Sequence, residues 1–275
     1  MAEDLLKVLR ELRGAGQFDE ARQLIASLQQ GRAPDAQLAA LAWQHQPFWW
    51  QDLQARGVTL RRRGPDDVAL VRRCWADAEF MARFNRMAVK LPADDGALRA
   101  LLQREQIALP QESRSLHWTI HAAGTALGFV SLVDISLQHR RAEFLMGVLP
   151  SAADALVSTS RVAVTAAHRV LAFAAEQAGL ERLNAHFYPD NTAALKAALH
   201  LGFEHEGILR RHVRLPDGSR CDLVVTGLLL DAAYFERHAR LRRRLLVDGV
   251  SRSDPASTAG LALPQRNKAA PSGSV

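Results

Sequence analysis

The spacing of apolar positions along the chain changes near Val58. Before that point apolar residues recur every three or four positions, first from Leu5 to Leu12 and then from Phe18 to Leu28, as on one face of an amphipathic helix. A third helix is predicted to open at Pro34, because proline is tolerated in the first turn of a helix. The pattern therefore predicts a helical N-terminal appendage over residues 1–57.

An aromatic cluster follows these helices. Its members are Trp43, Phe48, Trp49 and Trp50. A short helical segment cannot bury its own apolar face, and large aromatic side chains are more often buried than exposed. We therefore expect these rings to dock the appendage onto the rest of the chain, with a protein partner for the N-terminal helices as the alternative.

From Val58 to about residue 230 the pattern alternates between strands and helices. Strands are predicted at Val58–Arg62, Leu116–Ala122, Ala126–Leu137, Arg141–Val148, Arg182–Tyr188, Phe203–Leu215 and Arg220–Leu229, and helices at Val68–Phe84, Asp94–Gln106, Val162–Ala178 and Thr192–Leu201. Three antiparallel strands followed by strand, helix and strand predict an α+β domain over residues 58–230, with a mixed, mostly antiparallel sheet of about seven strands flanked by helices.

The composition excludes several classes of protein. Hydrophobic residues make up 48% and charged residues 23% of the chain, which is typical of a folded globular protein. The only cysteines, Cys74 and Cys221, cannot build a disulfide framework or a cysteine-based zinc cage, so a reducing cytoplasm and no metal are expected. No apolar run is long enough to span a membrane, and the charged N-terminus does not fit a secretory signal.

The basic excess is concentrated at the C-terminus. The chain carries a net charge of +6, and residues 231–275 contribute eight basic against four acidic side chains. This region is predicted to be a basic helix followed by a disordered tail from about Val250. Its run RLRRR at Arg240–Arg244 lacks interleaved aromatics, so nucleic acid is not expected as a partner, and RNA binding by this helix is kept as a lesser alternative.

Four short motifs follow one another in the second half of the domain. They are PDNTA from Pro189, LGF from Leu201, GILRR from Gly207 and DGSRCD from Asp217. In this order they resemble the C-terminal half of the GNAT-fold acyltransferases, most closely the branch that acetylates the N-termini of ribosomal proteins. The resemblance extends upstream through AEFLMGVLP at residues 142–150 and, more weakly, to residue 58. It implies the GNAT fold and transfer of an acyl group, expected to be acetyl, from acyl-coenzyme A to a primary amine.

The resemblance also implies where the donor binds. The pantetheine arm of acetyl-coenzyme A, or of another acyl-coenzyme A, is expected between the strands Glu143–Val148 and Leu183–Tyr188, paired with the amides of Met146 and Val148. Its pyrophosphate is expected at the start of the following helix, where N–H groups and the helix dipole favour anions. The residues concerned are Ser158, Thr159, Ser160, Arg161 and Val162. Asn191, which opens the next helix, either contacts the pantetheine or serves only as a helix cap.

The phosphate-binding loop departs from the family pattern. Relatives have glycines at the positions that align with Thr159 and Arg161, and their loop after Pro150 is shorter. Hydroxyl and guanidinium groups here either replace the lost backbone contacts or mark a donor site that has decayed or been rebuilt. The alternative function is therefore a non-catalytic GNAT-like binding or interaction module.

The chemistry requires the acceptor amine to lose a proton before it attacks the thioester. By resemblance Glu143 is the candidate base, acting through water, although an ion pair with Arg140 or Arg141 is the alternative. Tyr188 is the candidate acid for the departing thiolate. The weaker candidates on neighbouring strands are His117, His121 and Asp134.

The acceptor is expected to enter across residues 75–87. Candidate wall residues are Phe80, Phe84, Asn85 and Arg86. The acceptor itself stays open among a protein N-terminus, an amino sugar and a small metabolite.

Overall fold

The structure is a computed structural model that describes residues 2–30, 35–84, 90–149, 159–215 and 217–246. Contacts divide the chain into two compact units, of which the second runs from Pro47 to Asp248. This unit begins before Val58, where the predicted domain starts, because a short strand precedes that residue. The predicted tail from about Val250 lies outside the described residues.

The first unit is helical over its described residues. Helix α1 is Ala2–Gly14, α2 is Phe18–Gln29 and α3 is Ala36–Gln44. The buried side chains of this unit include Leu9, Ala21 and Ile25. The predicted helix start at Pro34 lies outside the described residues. Asp35 caps α3, and its carboxylate accepts hydrogen bonds from the N–H groups of Gln37 and Leu38.

The second unit is built on one mixed sheet. Its strands are β1 Leu53–Ala55, β2 Val58–Arg62, β3 Leu116–Ala122, β4 Thr125–Ser136, β5 Arg141–Val148, β6 Arg182–Phe187, β7 Glu204–Arg214 and β8 Arg220–Leu229. Their spatial order is β1-β2-β3-β4-β5-β6-β8-β7, and all neighbours are antiparallel except β5 and β6. The predicted α+β class is confirmed, with eight strands among the described residues instead of about seven.

Helices in this unit lie between and after the strands. They are α4 Val68–Ala76, α5 Ala78–Phe84, α6 Asp95–Ile107, α7 Pro110–Ser113, α8 Thr159–Glu176, α9 Thr192–His200 and α10 Ala232–Leu245, with short 3-10 turns at Pro47–Trp49 and Pro65–Asp67. The single helix predicted over Val68–Phe84 is wrong. It breaks at Asp77, whose carboxylate accepts the N–H of Phe80 at 2.8 Å and so opens a new helix.

Alternating residues send side chains to the two faces of the sheet. On one face Trp118 packs edge-on against Phe173 of α8, with ring centroids 5.2 Å apart. On the other face Phe129 packs against Trp75 of α4 and Phe80 of α5. The sheet is therefore covered on one side by α8 and on the other by α4 and α5.

Two rings of the predicted aromatic cluster belong to the core of the second unit. Phe48 and Trp49 each lie 6.1 Å from the ring of Phe173, and Trp49 is fully buried. Their docking of the N-terminal helices stays a prediction.

Across the described part of the chain, no helix combines the length and the apolar character needed to cross a bilayer.

Candidate functional site

A fork opens between the two parallel strands of the sheet. Strands β5 and β6 pair only from Arg141 to Glu143 and from Arg182 to Asn184. Beyond this point β5 continues along β4 and β6 continues along β8. Residues 145–148 of β5 are half-buried where the strands diverge. The described sheet therefore presents two facing strand edges, which can accept an extended ligand in the manner of strand addition.

The backbone of β5 is oriented towards this fork. The N–H of Leu149 donates to the carbonyl oxygen of Leu127 on β4 at 2.7 Å. Because successive N–H groups along a strand point to opposite edges, those of Met146 and Val148 are directed away from β4 and into the fork. The sequence singled out both residues for this position.

Gly128 allows the close approach of β4 to this part of β5. It stands opposite Val148 in the register. A Cβ at Gly128 would collide with the carbonyl oxygen of Gly147 and lie 2.9 Å from Cα of Val148. This residue was not predicted from the sequence, although a glycine inside a strand is a signal for close backbone approach.

The predicted phosphate site lies partly among the described residues. Helix α8 begins at Thr159, and the first N–H groups of any helix lack carbonyl partners within it. Ser160 and Arg161 are exposed in this first turn. Val162 is only 3% exposed, and its contact with a phosphate stays a prediction. Ser158 lies outside the described residues.

Asn191 and Tyr188 lie at the end of β6. The side chain of Asn191 accepts the N–H of Ala194 at 3.4 Å and so caps α9, as one of the two predicted alternatives requires. Tyr188 is half-buried one residue beyond β6, and its carbonyl oxygen accepts the N–H of Asn191 at 3.0 Å. Both residues therefore sit where the strand ends and the helix begins.

Glu143 lies at the apex of the fork and is only 7% exposed. The two arginines considered as its ion-pair partners are committed elsewhere, since Arg140 binds Glu181 and Arg141 binds Asp134. Instead, Oε1 of Glu143 stands 3.1 Å from Nδ1 of His186 on β6.

His186 was not singled out from the sequence. Its relation to Glu143 depends on the register between two strands that are separated along the chain by the whole of α8. Only the alternation of Asn184 and His186 along β6 hinted that they share a face.

The three weaker catalytic candidates have other surroundings. Nδ1 of His117 lies 2.8 Å from Oγ of Ser131, and burial, with the nearby Arg63 and Arg62 charges, holds the pKa of this imidazole well below its usual value. His121 contacts Thr119, and burial lowers its pKa as well.

Asp134 is a surface residue that binds both Arg114 and Arg141. The hydrogen bond from Arg141 is the main cause that lowers the pKa of this carboxyl. Its partners give it a structural role at the surface.

The predicted acceptor wall lies partly among the described residues. Phe80 is 8% exposed and belongs to the hydrophobic core, and its place in an acceptor wall stays a prediction. The side chain of Phe84 and residues Asn85, Arg86 and Met87 lie outside the described part of the chain. Helix α5 itself contacts β5, so it flanks the face of the sheet near the fork.

Among the described residues, no cluster of three or more histidine, cysteine, aspartate or glutamate side chains is arranged to hold a metal ion.

A curated protein is similar in sequence to part of this chain. In Bacillus subtilis (strain 168), the uncharacterized N-acetyltransferase YoaA is 29% identical over 108 residues, which cover 38% of this chain and 58% of that protein. The chain thus spans 58% of the length of this curated relative.

Two solved structures match 65% and 70% of the chain. A protein from T. thermophilus assigned as an acetyltransferase matches with a TM-score of 0.55 and 25% identity, covering 70% of this chain and 96% of that one. The spermidine N-acetyltransferase from Vibrio cholerae, solved with CoA and spermine, matches with a TM-score of 0.54 and 19% identity, covering 65% and 98%. At 19% identity the second likeness shows the fold alone.

The sequence profile of the family described as Acetyltransferase (GNAT) domain matches residues 58–204, which is more than half of the chain. The match spans β2 to β6 and includes the fork and the start of α8. The chain therefore belongs to the GNAT acetyltransferase family.

Proposed function

We propose that this protein is an N-acyltransferase that moves an acetyl group from acetyl-coenzyme A to a primary amine by direct transfer. The observation that carries the proposal is the fork between β5 and β6, into which the N–H groups of Met146 and Val148 are directed. Membership of the GNAT family supports the reaction class.

The pantetheine arm of acetyl-coenzyme A lies in the fork. Its amide groups pair with the edge of β5 at Met146 and Val148, as an added strand would. The pyrophosphate lies at the first turn of α8, where the helix dipole and the backbone N–H groups attract an anion. The hydroxyl groups of Thr159 and Ser160 and the guanidinium of Arg161 supply contacts that glycine-rich relatives make through the backbone.

This arrangement sets the direction of the donor. With the pyrophosphate at α8, the thioester end of the arm points along β5 towards the apex of the fork. Glu143 stands at that apex. The donor therefore brings its reactive carbonyl towards a buried carboxylate.

Transfer then requires one bond to form and one to break. The amine nitrogen attacks the thioester carbonyl, and a C–N bond replaces the C–S bond. Glu143 removes the amine proton, directly or through the group beside it, and Tyr188 is the proposed donor of a proton to the sulfur. Asn191, at the N-terminus of α9, supports the arm or only the helix.

The acceptor is a primary amine whose identity is open. Spermidine is a first candidate because a structural neighbour from Vibrio cholerae is a spermidine N-acetyltransferase. The resemblance to acetyltransferases of ribosomal proteins makes a peptide N-terminus the second candidate, and an amino sugar the third. Release of coenzyme A thiol in the presence of each amine measures turnover.

Donor binding is tested by thermal shift with acetyl-coenzyme A. Arg161→Ala should weaken binding roughly tenfold, because a guanidinium–phosphate contact is lost, and added salt should reduce the difference between variant and wild type. Arg240→Ala is the matched control, since it removes an equally exposed arginine from α10.

One result would overturn the proposal. If acetyl-coenzyme A, a longer acyl-coenzyme A and free coenzyme A all fail to stabilise the wild-type protein, the donor site does not function. The substitution of family glycines by Thr159 and Arg161 would then support the alternative, a non-catalytic GNAT-like binding module.

A further inference from the structure

We propose that His186 takes the proton from the acceptor amine and that Glu143 is the positioning residue that orients its ring. This assignment rests on the acyl transfer proposed above. It changes the catalytic group from a lone carboxylate to a carboxylate–imidazole pair.

The register of the sheet places both side chains at the apex of the fork. Glu143 is paired with Asn184, the last residue of β6 that β5 reaches. His186 follows two positions later on the same face of β6, in the part of the strand that β5 no longer contacts in register. His186 therefore extends further into the fork than Glu143 does.

The pair faces the side of the sheet that carries α4 and α5. Gly147 is paired with Phe129, whose ring packs against Phe80 of α5. Glu143 lies four positions before Gly147 on the same strand and so shares this face. The side chains of the pair therefore point to the face of the sheet that α5 flanks.

Distance and burial bring the imidazole and the carboxylate within ion-pair range. Nδ1 of His186 lies 3.1 Å from Oε1 of Glu143, and the side chains are 17% and 10% exposed. A buried carboxylate beside Nδ1 favours the tautomer with its proton on that nitrogen, which leaves Nε2 across the ring as the proton acceptor. The carboxylate also stabilises the imidazolium that forms when Nε2 takes a proton.

The arginines that flank the Glu143–His186 pair form ion pairs with other carboxylates. Arg140 and Arg141, on the side of β5, bind Glu181 and Asp134. On β6, Arg182 binds Glu206 and also donates to the side chain of Asn184 at 2.9 Å. These three arginines therefore each pair with a carboxylate other than Glu143.

The proton balance is complete without another reactant. An acceptor ammonium carries three protons, and the amide product keeps one. Nε2 of His186 takes one proton before attack and passes it to solvent. The other leaves the nitrogen after the C–N bond forms and ends on the coenzyme A sulfur as the C–S bond breaks.

The test compares His186→Gln and Glu143→Gln with His205→Gln, an exposed histidine on β7. His186→Gln should lower kcat about 100-fold or more while changing the KM for acetyl-coenzyme A by less than about twofold, since general bases contribute that much to rate. The acid limb of the wild-type pH–rate profile should disappear in His186→Gln. Glu143→Gln should lose less activity and keep an acid limb, and His205→Gln should behave as wild type.

A second variant distinguishes the loss of a catalytic group from misfolding. His186→Ala should regain activity when imidazole is added, which a purely structural loss would not allow. Failure of this rescue, or an unchanged acid limb in His186→Gln, would overturn the assignment.

Failure of the assignment is distinguishable from failure of the proposed function. If wild type transfers acetyl and His186→Gln matches it, only the role of His186 is lost. If wild type is neither stabilised by acetyl-coenzyme A nor active on any amine tested, acyl transfer itself is wrong and the assignment falls with it.

Discussion

The carbonyl oxygen of Gly147 occupies the space that a side chain on Gly128 would need. These residues belong to β5 and β4, and Cα of Val148 lies 2.9 Å from the same point. Only glycine therefore lets β4 approach the edge of the fork this closely.

Gly128→Ala should displace the backbone of β5 at residues 147 and 148. Because the obstructing atoms are backbone, no side-chain rotation can relieve the clash, and the N–H groups that face the fork must move. We expect affinity for acetyl-coenzyme A to fall about tenfold or more, measured by titration calorimetry. Gly14→Ala is the control, because a Cβ there meets no atom within 4 Å. Unchanged affinity in Gly128→Ala would show that this approach does not shape the donor site.

His168 should make stability depend on pH. It is 1% exposed in α8, and burial, with the His238 and Arg242 charges, lowers its pKa to about 4. The unfolded chain therefore binds a proton more readily than the folded one, and stability falls as pH drops from about 6.5 to about 4. The gap between these two values corresponds to about 3 kcal/mol.

Replacing His168 should flatten this profile. His168→Leu removes a side chain whose two ring nitrogens have no hydrogen-bond partner among the described residues. Denaturant unfolding at pH 7 and pH 4.5 should then give more similar free energies than in wild type. The exposed His139→Gln should leave the wild-type pH dependence in place, and the same slope in His168→Leu would contradict the prediction.

Tyr234 offers a test of an unsatisfied buried hydroxyl. The residue is fully buried in α10, its hydroxyl has no partner among the described residues, and burial raises its pKa to about 12. Tyr234→Phe should raise the free energy of unfolding by about 1 kcal/mol, because a desolvated polar group is removed.

The control for Tyr234 is a buried hydroxyl that does have a partner. Thr226 donates to the carbonyl oxygen of Ala185 at 2.9 Å. Thr226→Val should lower the free energy of unfolding by about 1 kcal/mol. Equal destabilisation by both variants, measured by urea unfolding, would show that the Tyr234 hydroxyl is satisfied.

The two cysteines should differ in reactivity. Burial raises the pKa of both thiols, and it does so to about 12 for the fully buried Cys74, whereas Cys221 is only half-buried on β8. Since the thiolate is the reactive form, iodoacetamide at pH 8 should label Cys221 in the native protein and Cys74 only after denaturation. Cys221→Ser should leave the native protein unlabelled by mass spectrometry, so native labelling of that variant would contradict the burial of Cys74.

Local patterns predicted much of the sheet. The bounds of β2, β3, β5 and β8 agree with the predicted strands because each is a run of strand-forming residues between turn signals. The additional strand β1 was missed, since three residues carry too little periodicity to stand out. The break of the predicted helix at Asp77 was missed because the Asp77 carboxylate accepts the N–H of Phe80, a local hydrogen bond that the spacing of apolar residues does not reveal.

The candidate site was harder to predict because it is non-local. Glu143 could be placed on its strand from the sequence, but its partner could not. Its contact with His186, and not with Arg140 or Arg141, depends on which residues of β6 lie beside β5. The close approach at Gly128 depended in the same way on the register between two strands.

The fork also divides the sheet into two blocks. Strands β1 to β5 form one block and β6, β8 and β7 the other, joined within the sheet by the pairs Arg141–Arg182, Ala142–Leu183 and Glu143–Asn184. A donor whose arm formed hydrogen bonds with the free edges of both β5 and β6 would extend the junction between the two blocks and couple them. Its binding should then slow amide hydrogen exchange on strands it never touches, so the substrate would contribute to the cooperativity of the fold itself.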